Sequence, residues 1–162
     1  NQMRIATKRS KINISEENKT KIISENLSKH LKHNDILLFY GEIGVGKTTF
    51  IKHLINSLQK KNNKKITEVP SPTFNLVIEY KINDLIIKHC DLYRVKQKNE
   101  IINLGIFENF SEGIILIEWP ELLNLEKIKN RIDLKFEYND DLNKRFLTIS
   151  SNKNISFINE FK

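Results

Sequence analysis

Cysteine, proline and glycine are scarce in this sequence, and long apolar runs are missing from it. Its 162 residues include one cysteine, three prolines and five glycines. A single cysteine excludes a disulfide within the chain, which fits a reducing cytoplasm. The longest apolar runs, residues 36–40 and 114–117, are far shorter than the roughly 20 residues of a membrane-spanning helix. The first residues are basic without an apolar core, so we expect no signal peptide, a cytoplasmic location and no membrane contact.

Arginine is also scarce, although the formal net charge is +7 at pH 7. A basic balance of this size is one signature of nucleic-acid binding. Here most of the charge comes from lysines spread through a chain rich in asparagine and isoleucine, as in KKNNKK at 60–65. Arginine is the better reader of phosphates and base edges. We therefore interpret the charge as a solvated basic surface.

Length and hydrophobic content indicate one globular domain. The chain has 162 residues, 39% of them hydrophobic, and contains no repeat or linker. We predict a single domain over residues 1–162 with its core at about 12–150.

Apolar spacing predicts a helix, a strand and a second helix in the first part of the chain. Residues 15–17 open a helix, and the run ILLFY at 36–40 is a buried strand. A second helical pattern follows Lys47. Residues 59–65, rich in lysine and asparagine, are expected to form a surface loop.

The second half predicts antiparallel hairpins around another buried strand. Two β-rich runs, 73–81 and 85–90, flank the turn residues Asn83 and Asp84. Further elements are expected as short helices within 97–110, a buried strand at 113–119, a short helix from Pro120, and a closing hairpin of 131–138 and 144–150. The predicted architecture is α/β, with a mostly parallel core, antiparallel hairpin additions and helices on both faces of the sheet.

The segment GEIGVGKT at 41–48 matches the phosphate-binding pattern G-x-x-x-x-G-K-[ST] without deviation. Backbone N–H groups of such a loop surround phosphates, and the next helix points its positive end at them. We expect Lys47 to face solvent until it binds the β- and γ-phosphates, and the Thr48 hydroxyl to bind Mg²⁺. The positions expected to hold the triphosphate are Gly41, Glu42, Ile43, Gly44, Val45, Gly46, Lys47, Thr48 and Thr49. With a strand before it and a helix after it, the motif predicts a P-loop NTPase-like sheet.

Three further residues are candidates for the chemistry of hydrolysis. Thr73 lies on a loop segment stiffened by Pro70 and Pro72, and is a candidate sensor of the γ-phosphate or Mg²⁺. An ordinary turn before a strand explains Thr73 equally well. Asp91 and Glu118 each close an apolar strand, where carboxylates bind metal in this class of fold. Either carboxylate could be the direct Mg²⁺ ligand.

Taken together, these segments resemble the bacterial TsaE family. GEIGVGKT, SPTFNLVIEY, HCDLYR and IEWPE occur in that family's order, and the similarity spans about residues 12 to 150. Members are small ATPases that work with TsaD and TsaB to make the threonylcarbamoyl modification on the adenosine next to the anticodon of ANN-decoding tRNAs. The resemblance implies ATP and Mg²⁺ as cofactors, TsaD and TsaB as partners, and contact with tRNA only through their complex.

The resemblance also implies roles for individual residues. It assigns Mg²⁺ to Thr48 and Glu118, and it makes Thr73 and Asp91 necessary for hydrolysis. With the phosphate-loop lysine, the expected catalytic set is Lys47, Thr73, Asp91 and Glu118. The metal set is Thr48, Glu118 and Asp91.

Two residues outside the loop are implied to contact the rest of the nucleotide. Glu17 lies where the family's adenine pocket begins, and Arg145 matches a family arginine ahead of the last strand. Arg94 is the only arginine close to the expected switch elements, and nothing marks it as a catalytic finger. We therefore expect slow hydrolysis by the isolated chain, stimulation by the partners, and a role for hydrolysis in resetting their complex.

Two other function classes remain open, a small-molecule kinase and a GTP-binding switch. Such kinases usually close a lid carrying several arginines over their substrates. No arginine-rich segment occurs in this sequence. Guanine selection typically depends on an N-K-x-D segment, and the closest match, NKNI at 152–155, lacks the aspartate.

Adenine nucleotides should therefore bind more tightly than guanine nucleotides, because no such aspartate is present to accept the protons on guanine N1 and N2. A competition titration of ATP against GTP measures the difference. Tighter binding of GTP would move the chain to the switch class.

Overall fold

The backbone is organised around a seven-stranded sheet. The computed structural model describes residues 11–108 and 110–151. In chain order its strands are β1 (Ile12–Asn13), β2 (Ile36–Tyr40), β3 (Val77–Ile82), β4 (Leu85–Asp91), β5 (Gly113–Glu118), β6 (Arg131–Tyr138) and β7 (Arg145–Ser151). Across the sheet they lie in the order β1-β7-β6-β2-β5-β4-β3.

The centre of the sheet is parallel. β2 pairs in parallel with both β5 and β6, and β4 pairs in parallel with β5. At the margins β3 pairs antiparallel with β4, and β7 with β6 and β1. The predicted α/β fold, with its mostly parallel core and antiparallel additions, is confirmed. Central parallel strands are covered on both faces, and for that reason they occur as uninterrupted apolar runs in the sequence.

Helices cover both faces of the sheet, as predicted. On one face pack α1 (Glu17–Ser28) and α2 (Lys47–Lys61). The other face carries α3 (Lys98–Asn103) and three short 3-10 turns: Phe110–Glu112, Pro120–Leu122 and Leu125–Lys127. Among the described residues no helix is long and apolar enough to cross a membrane.

The expected loop at 59–65 is wrong at its start, because α2 continues to Lys61. Lys60 and Lys61 lie in the last helical turn, where positive charge interacts favourably with the helix dipole. Gln59 is buried, and its side-chain amide donates to the Thr67 hydroxyl at 2.9 Å. The local lysine and asparagine content therefore placed the start of the loop too early in the sequence.

The first strand of the central hairpin also differs from its prediction, since β3 begins at Val77 rather than at residue 73. Residues ahead of it form a turn in which Leu76 N donates to Pro72 O at 2.8 Å and Leu76 has a φ of +64°. A left-handed residue interrupts a strand. The turn at Asn83 and the second strand lie where expected, and β4 additionally joins the parallel core.

Three parallel strands end at the same edge of the sheet. The segment 41–46 follows β2, Trp119 follows β5, and β4 ends on Asp91. The register sets Glu118 opposite Phe39 on one side and opposite Asp91 on the other. Both strand-end carboxylates are thereby placed next to the glycine loop.

Phe50→Ala should lower the free energy of unfolding by about 3–5 kcal/mol, because it opens a cavity between α2 and the sheet. Phe50 is fully buried, with its ring centroid 5.9 Å from that of Phe39 and 5.8 Å from that of Phe136. Phe74→Ala is the matched control: Phe74 is 85% exposed, so its loss should cost less than about 1 kcal/mol. Urea denaturation followed by circular dichroism measures both, and equal losses would contradict a core role for Phe50.

Candidate nucleotide and magnesium site

The loop at 41–46 has a backbone conformation that depends on its glycines. Gly41 and Gly46 have φ values of +144° and +117°, where other residues are strained. A Cβ at Gly41 would also lie 2.7 Å from Phe136 O. The loop ends at Lys47, the first residue of α2, so free N–H groups at the helix start face the loop. This arrangement suits a phosphate group.

The remaining residues of the loop differ in how exposed they are to solvent. Glu42, Ile43 and Gly44 are exposed at the tip, and Ile43 is 68% exposed. Val45 is fully buried and belongs to the core. Thr49 is half-buried in the first turn of α2. Glu42 and Ile43 can therefore offer phosphate their backbone N–H groups, whereas Val45 N already donates to Glu42 O at 3.2 Å and the Val45 side chain anchors the loop in the core.

Lys47 does not face solvent, contrary to expectation. It is buried, its Nζ donates to Gly41 O, and Nζ lies 3.8 Å from the centroid of the Trp119 ring. Burial lowers the pKa of Lys47 below its ordinary value, while the carboxylates of Glu118 and Asp91 oppose that shift. The ammonium is held inside the loop by a carbonyl, an aromatic face and two nearby negative charges. It must leave that carbonyl to contact a phosphate.

A chain of hydrogen bonds joins the loop to β5 and β4. Thr48 Oγ1 donates to Glu118 Oε1 at 3.0 Å. The other carboxylate oxygen, Glu118 Oε2, lies 2.8 Å from His89 Nε2. Both Glu118 and His89 are buried. The structure thus brings together Thr48 and Glu118, the two residues to which the family resemblance assigned Mg²⁺, and that assignment stays a prediction.

Asp91 lies beside Glu118 with its own backbone partner. Its Oδ1 accepts from Tyr93 N at 2.9 Å, and the residue is 9% exposed. Burial raises the pKa of Asp91 above its ordinary value; the Tyr93 hydrogen bond and Lys47 act in the opposite direction, and Glu118 adds to the increase. Two carboxylates in one buried corner are a costly arrangement that a cation would relieve.

The oxygen donors of this corner fit Mg²⁺. Thr48, Glu118 and Asp91 contribute a hydroxyl and two carboxylates, and Mg²⁺ prefers oxygen ligands. No group of three or more His, Cys, Asp or Glu that could hold a metal by itself occurs in the described residues. A P-loop Mg²⁺ needs none, since it takes one or two protein ligands and completes its shell with phosphates and water.

Thr73 is not part of this hydrogen-bond chain. Its hydroxyl lies 2.8 Å from that of Ser71, within the turn before β3. The turn is connected to the site by the backbone, because Asp91 N donates to Leu76 O at 2.9 Å. Thr73 could therefore affect Asp91 through that connection, and its predicted role in sensing phosphate or Mg²⁺ stays a prediction.

Glu17 and Arg145 have different surroundings. Glu17 Oε1 lies 3.0 Å from His53 Nε2, so the carboxylate pairs with the side of α2. Arg145 Nη2 donates to Ser15 O at 3.1 Å, and Arg145 Nη1 would lie 3.5 Å from a Cβ added to Gly46. Arg145 is therefore next to the phosphate loop, where a nucleotide contact was expected. The predicted adenine contact of Glu17 stays a prediction.

Sequence reasoning missed the contacts made by His89 and Tyr138, and for Trp119 it favoured core packing over a place at the site. The Tyr138 hydroxyl donates to Gly44 O at 3.0 Å, and Tyr138 pairs with Arg145 across the closing hairpin. Trp119 has a φ of +57°, uncommon for a residue that is not glycine. His89 carried a usable signal, because it precedes Asp91 by two on a strand and so shares its face. Nothing local distinguished Tyr138 or Trp119 from core residues.

Known proteins similar to this chain point to one family. A sequence profile described as "Threonylcarbamoyl adenosine biosynthesis protein TsaE" matches residues 14–146. A curated "tRNA threonylcarbamoyladenosine biosynthesis protein TsaE" from Rickettsia felis is 37% identical over 91% of this chain and 84% of its own. Its namesake from Bacillus subtilis is 34% identical over 71% of this chain and 69% of its own. The crystal structure of Bacillus subtilis YdiB, 25% identical, superposes with a TM-score of 0.69 over 99% of this chain and 92% of that chain.

Asp91→Asn should raise the free energy of unfolding at neutral pH. Folding raises the pKa of this carboxyl above 3.8, so the ionised form opposes folding. That penalty is absent below the ordinary pKa and complete above the raised one. The gain of the variant should therefore shrink as the pH falls toward about 4. The Asn oxygen still accepts from Tyr93 N, which limits the change to charge.

Urea denaturation at several pH values, without nucleotide or divalent cations, measures the effect. Asp140→Asn is the control, since Asp140 is exposed and should show almost no pH-dependent difference. A less stable Asp91→Asn protein at neutral pH would contradict the electrostatic cost assigned to Asp91.

Proposed function

The chain belongs to the TsaE family, and we propose that it is the ATP-binding and ATP-hydrolysing component of the tRNA N6-threonylcarbamoyladenosine modification system. The observation that carries this proposal is the hydrogen bond from Thr48 to Glu118, 3.0 Å long. It connects a phosphate-binding loop to a strand-end carboxylate, the pairing with which P-loop NTPases hold Mg²⁺. Family membership connects the chain with tRNA threonylcarbamoyladenosine biosynthesis. The pairing of Thr48 with Glu118 supports the proposed binding of Mg²⁺ and nucleotide.

In the proposed complex, the loop residues Gly41–Thr49 bind the triphosphate. Their backbone N–H groups and the start of α2 supply positive potential to the phosphate oxygens. Lys47 leaves Gly41 O and the Trp119 ring for the β- and γ-phosphates. Arg145 is close enough to the loop to take part in nucleotide binding.

Thr48 and Glu118 are proposed to hold Mg²⁺, with Asp91 beside them as a direct or water-mediated ligand. The cation would neutralise charge on the β- and γ-phosphates. Asp91 has a second proposed role, in hydrolysis, in which its carboxylate positions the attacking water. Thr73 would support hydrolysis through the turn that contacts Asp91 N.

Hydrolysis by the isolated chain is proposed to be slow. Fast P-loop hydrolases use an additional cation at the γ-phosphate. Arg94, the arginine nearest the switch elements, has its Cζ 5.1 Å from the centroid of the Phe74 ring, and Phe74 is 85% exposed. Phe74, in the turn before β3, and Arg94, in the segment after β4, therefore lie together at the surface. A partner that packs on this turn could move Thr73 or Arg94 toward the nucleotide.

TsaD and TsaB are the proposed partners, with tRNA contacted only through their complex and with the reaction in the cytoplasm. Hydrolysis would reset that complex between rounds of modification. A hydrolase whose turnover depends on a partner uses ATP only when the partner is present, which suits a resetting step.

The ATPase rate of the purified chain should rise about 10-fold or more when TsaD and TsaB are added, since completing a P-loop site gives large gains. Lys47→Ala should lower the stimulated rate by about 10²–10³-fold, because it removes charge that opposes the developing phosphate charge. It should also stop tRNA modification after one round. Phosphate release and counts of modified tRNA per complex measure both effects.

Lys52→Ala is the matched control, because Lys52 is exposed on the same helix and lies outside the loop. It should behave like the parent chain. Full ATPase activity in the absence of TsaD and TsaB, with no change on adding them, would rule out a partner-dependent cycle. Normal hydrolysis by a folded Lys47→Ala protein would rule out the nucleotide site itself.

A further inference from the structure

We infer that His89 is a positioning residue of this site, whose buried imidazole holds the Glu118 carboxylate in the orientation that Thr48 and Mg²⁺ require. The inference deepens the proposed function and rests on it in one respect, that Mg²⁺ accompanies the nucleotide. His89 would not touch ATP. It would act through Glu118.

The geometry gives each oxygen of Glu118 a separate partner. His89 Nε2 lies 2.8 Å from Oε2, and Thr48 Oγ1 lies 3.0 Å from Oε1. His89 is fully buried and Glu118 is 2% exposed. Rotation of the carboxylate about its terminal bond would break at least one of these contacts, so the two partners together fix its plane.

The second ring nitrogen identifies the donor. Nδ1 of His89 is buried and has no hydrogen-bond partner among the residues that the structure describes. No contact at Nδ1 therefore calls for a proton there, and the Glu118 carboxylate can only accept a hydrogen bond. The proton is therefore assigned to Nε2, which donates to Glu118 Oε2. This contact uses Oε2 only, so Oε1 stays directed at Thr48.

A packing role alone does not explain this contact. An apolar residue of similar size would fill the space above β4 but would leave Glu118 Oε2 buried without a donor. Asp91, the cross-strand neighbour of Glu118, adds like charge on the same side. Without the imidazole, Glu118 would be free to rotate away from Thr48. Groups that orient a metal ligand typically contribute 10- to 100-fold to metal affinity or activity.

The test measures the Mg²⁺ requirement of ATP binding rather than turnover. Isothermal titration of ATP into the full chain at a series of MgCl₂ concentrations, after metal removal with EDTA, gives the Mg²⁺ concentration at which the gain in affinity is half complete. His89→Leu should raise that concentration about 10- to 100-fold, with ATP affinity in EDTA unchanged. His89→Gln, whose amide N–H reaches about as far as Nε2, should stay close to the parent.

Two more variants separate positioning from stability. Ile87→Val alters another fully buried residue on the same face of β4, and it should lower stability without changing the Mg²⁺ requirement. His89→Asn keeps a polar side chain too short to reach Glu118, so it should raise the requirement as His89→Leu does. If His89→Leu fails to fold, the contrast between His89→Asn and His89→Gln decides the matter.

The failures of the two proposals are distinguishable. A parent chain that binds ATP no better with MgCl₂ than with EDTA would overturn the Mg²⁺-dependent function and this inference with it. A normal Mg²⁺ response in the parent, with the same requirement in His89→Asn and in any folded His89→Leu, would overturn the role of His89 alone.

Discussion

The parallel pairing of β2 with β5 is the contact on which the whole site depends. It sets Phe39 opposite Glu118, and the chain leaving β2 becomes the glycine loop beside that carboxylate. Trp119 N donates to Phe39 O at 3.2 Å, which extends the pairing past the end of β5. Because side chains alternate along a strand, a slip of one residue would turn Glu118 to the opposite face of the sheet and away from Thr48.

The cost of this arrangement is a group of buried polar side chains at one sheet edge. Lys47, His89, Asp91 and Glu118 are all at most 9% exposed. They are tolerated because each has a partner within the group or on the backbone, including the aromatic face of Trp119 for Lys47. Two carboxylates and one ammonium still leave unbalanced negative charge. A cation bound at this corner would offset that charge and stabilise the folded chain, which supports the proposal that Mg²⁺ binds there.

Local pattern was enough to predict most of the fold. The buried runs of β2 and β5 are apolar throughout because helices cover both faces, and the turn at Asn83 marks the central hairpin. Prediction was wrong where the deciding interaction is distant in sequence. Leu76 adopts a left-handed conformation and accepts a hydrogen bond from Asp91 N, so β3 begins later than its composition suggests. The strand order, with the closing hairpin beside β2, depends on packing that no single segment contains.

The site shows the same contrast between features that local sequence predicts and contacts that form only in the tertiary structure. The sequence by itself determined the glycine loop, because its motif places spaced glycines, a lysine and a threonine in one short segment between a strand and a helix. It also indicated Asp91 and Glu118, since a polar residue that ends an apolar run is visible without a structure. Only the tertiary structure decided that Lys47 is buried under Trp119 and that His89 holds Glu118 from a neighbouring strand. Those contacts join residues far apart in the chain, and they exist because the register of parallel strands, which no local pattern specifies, puts them on one face of the sheet.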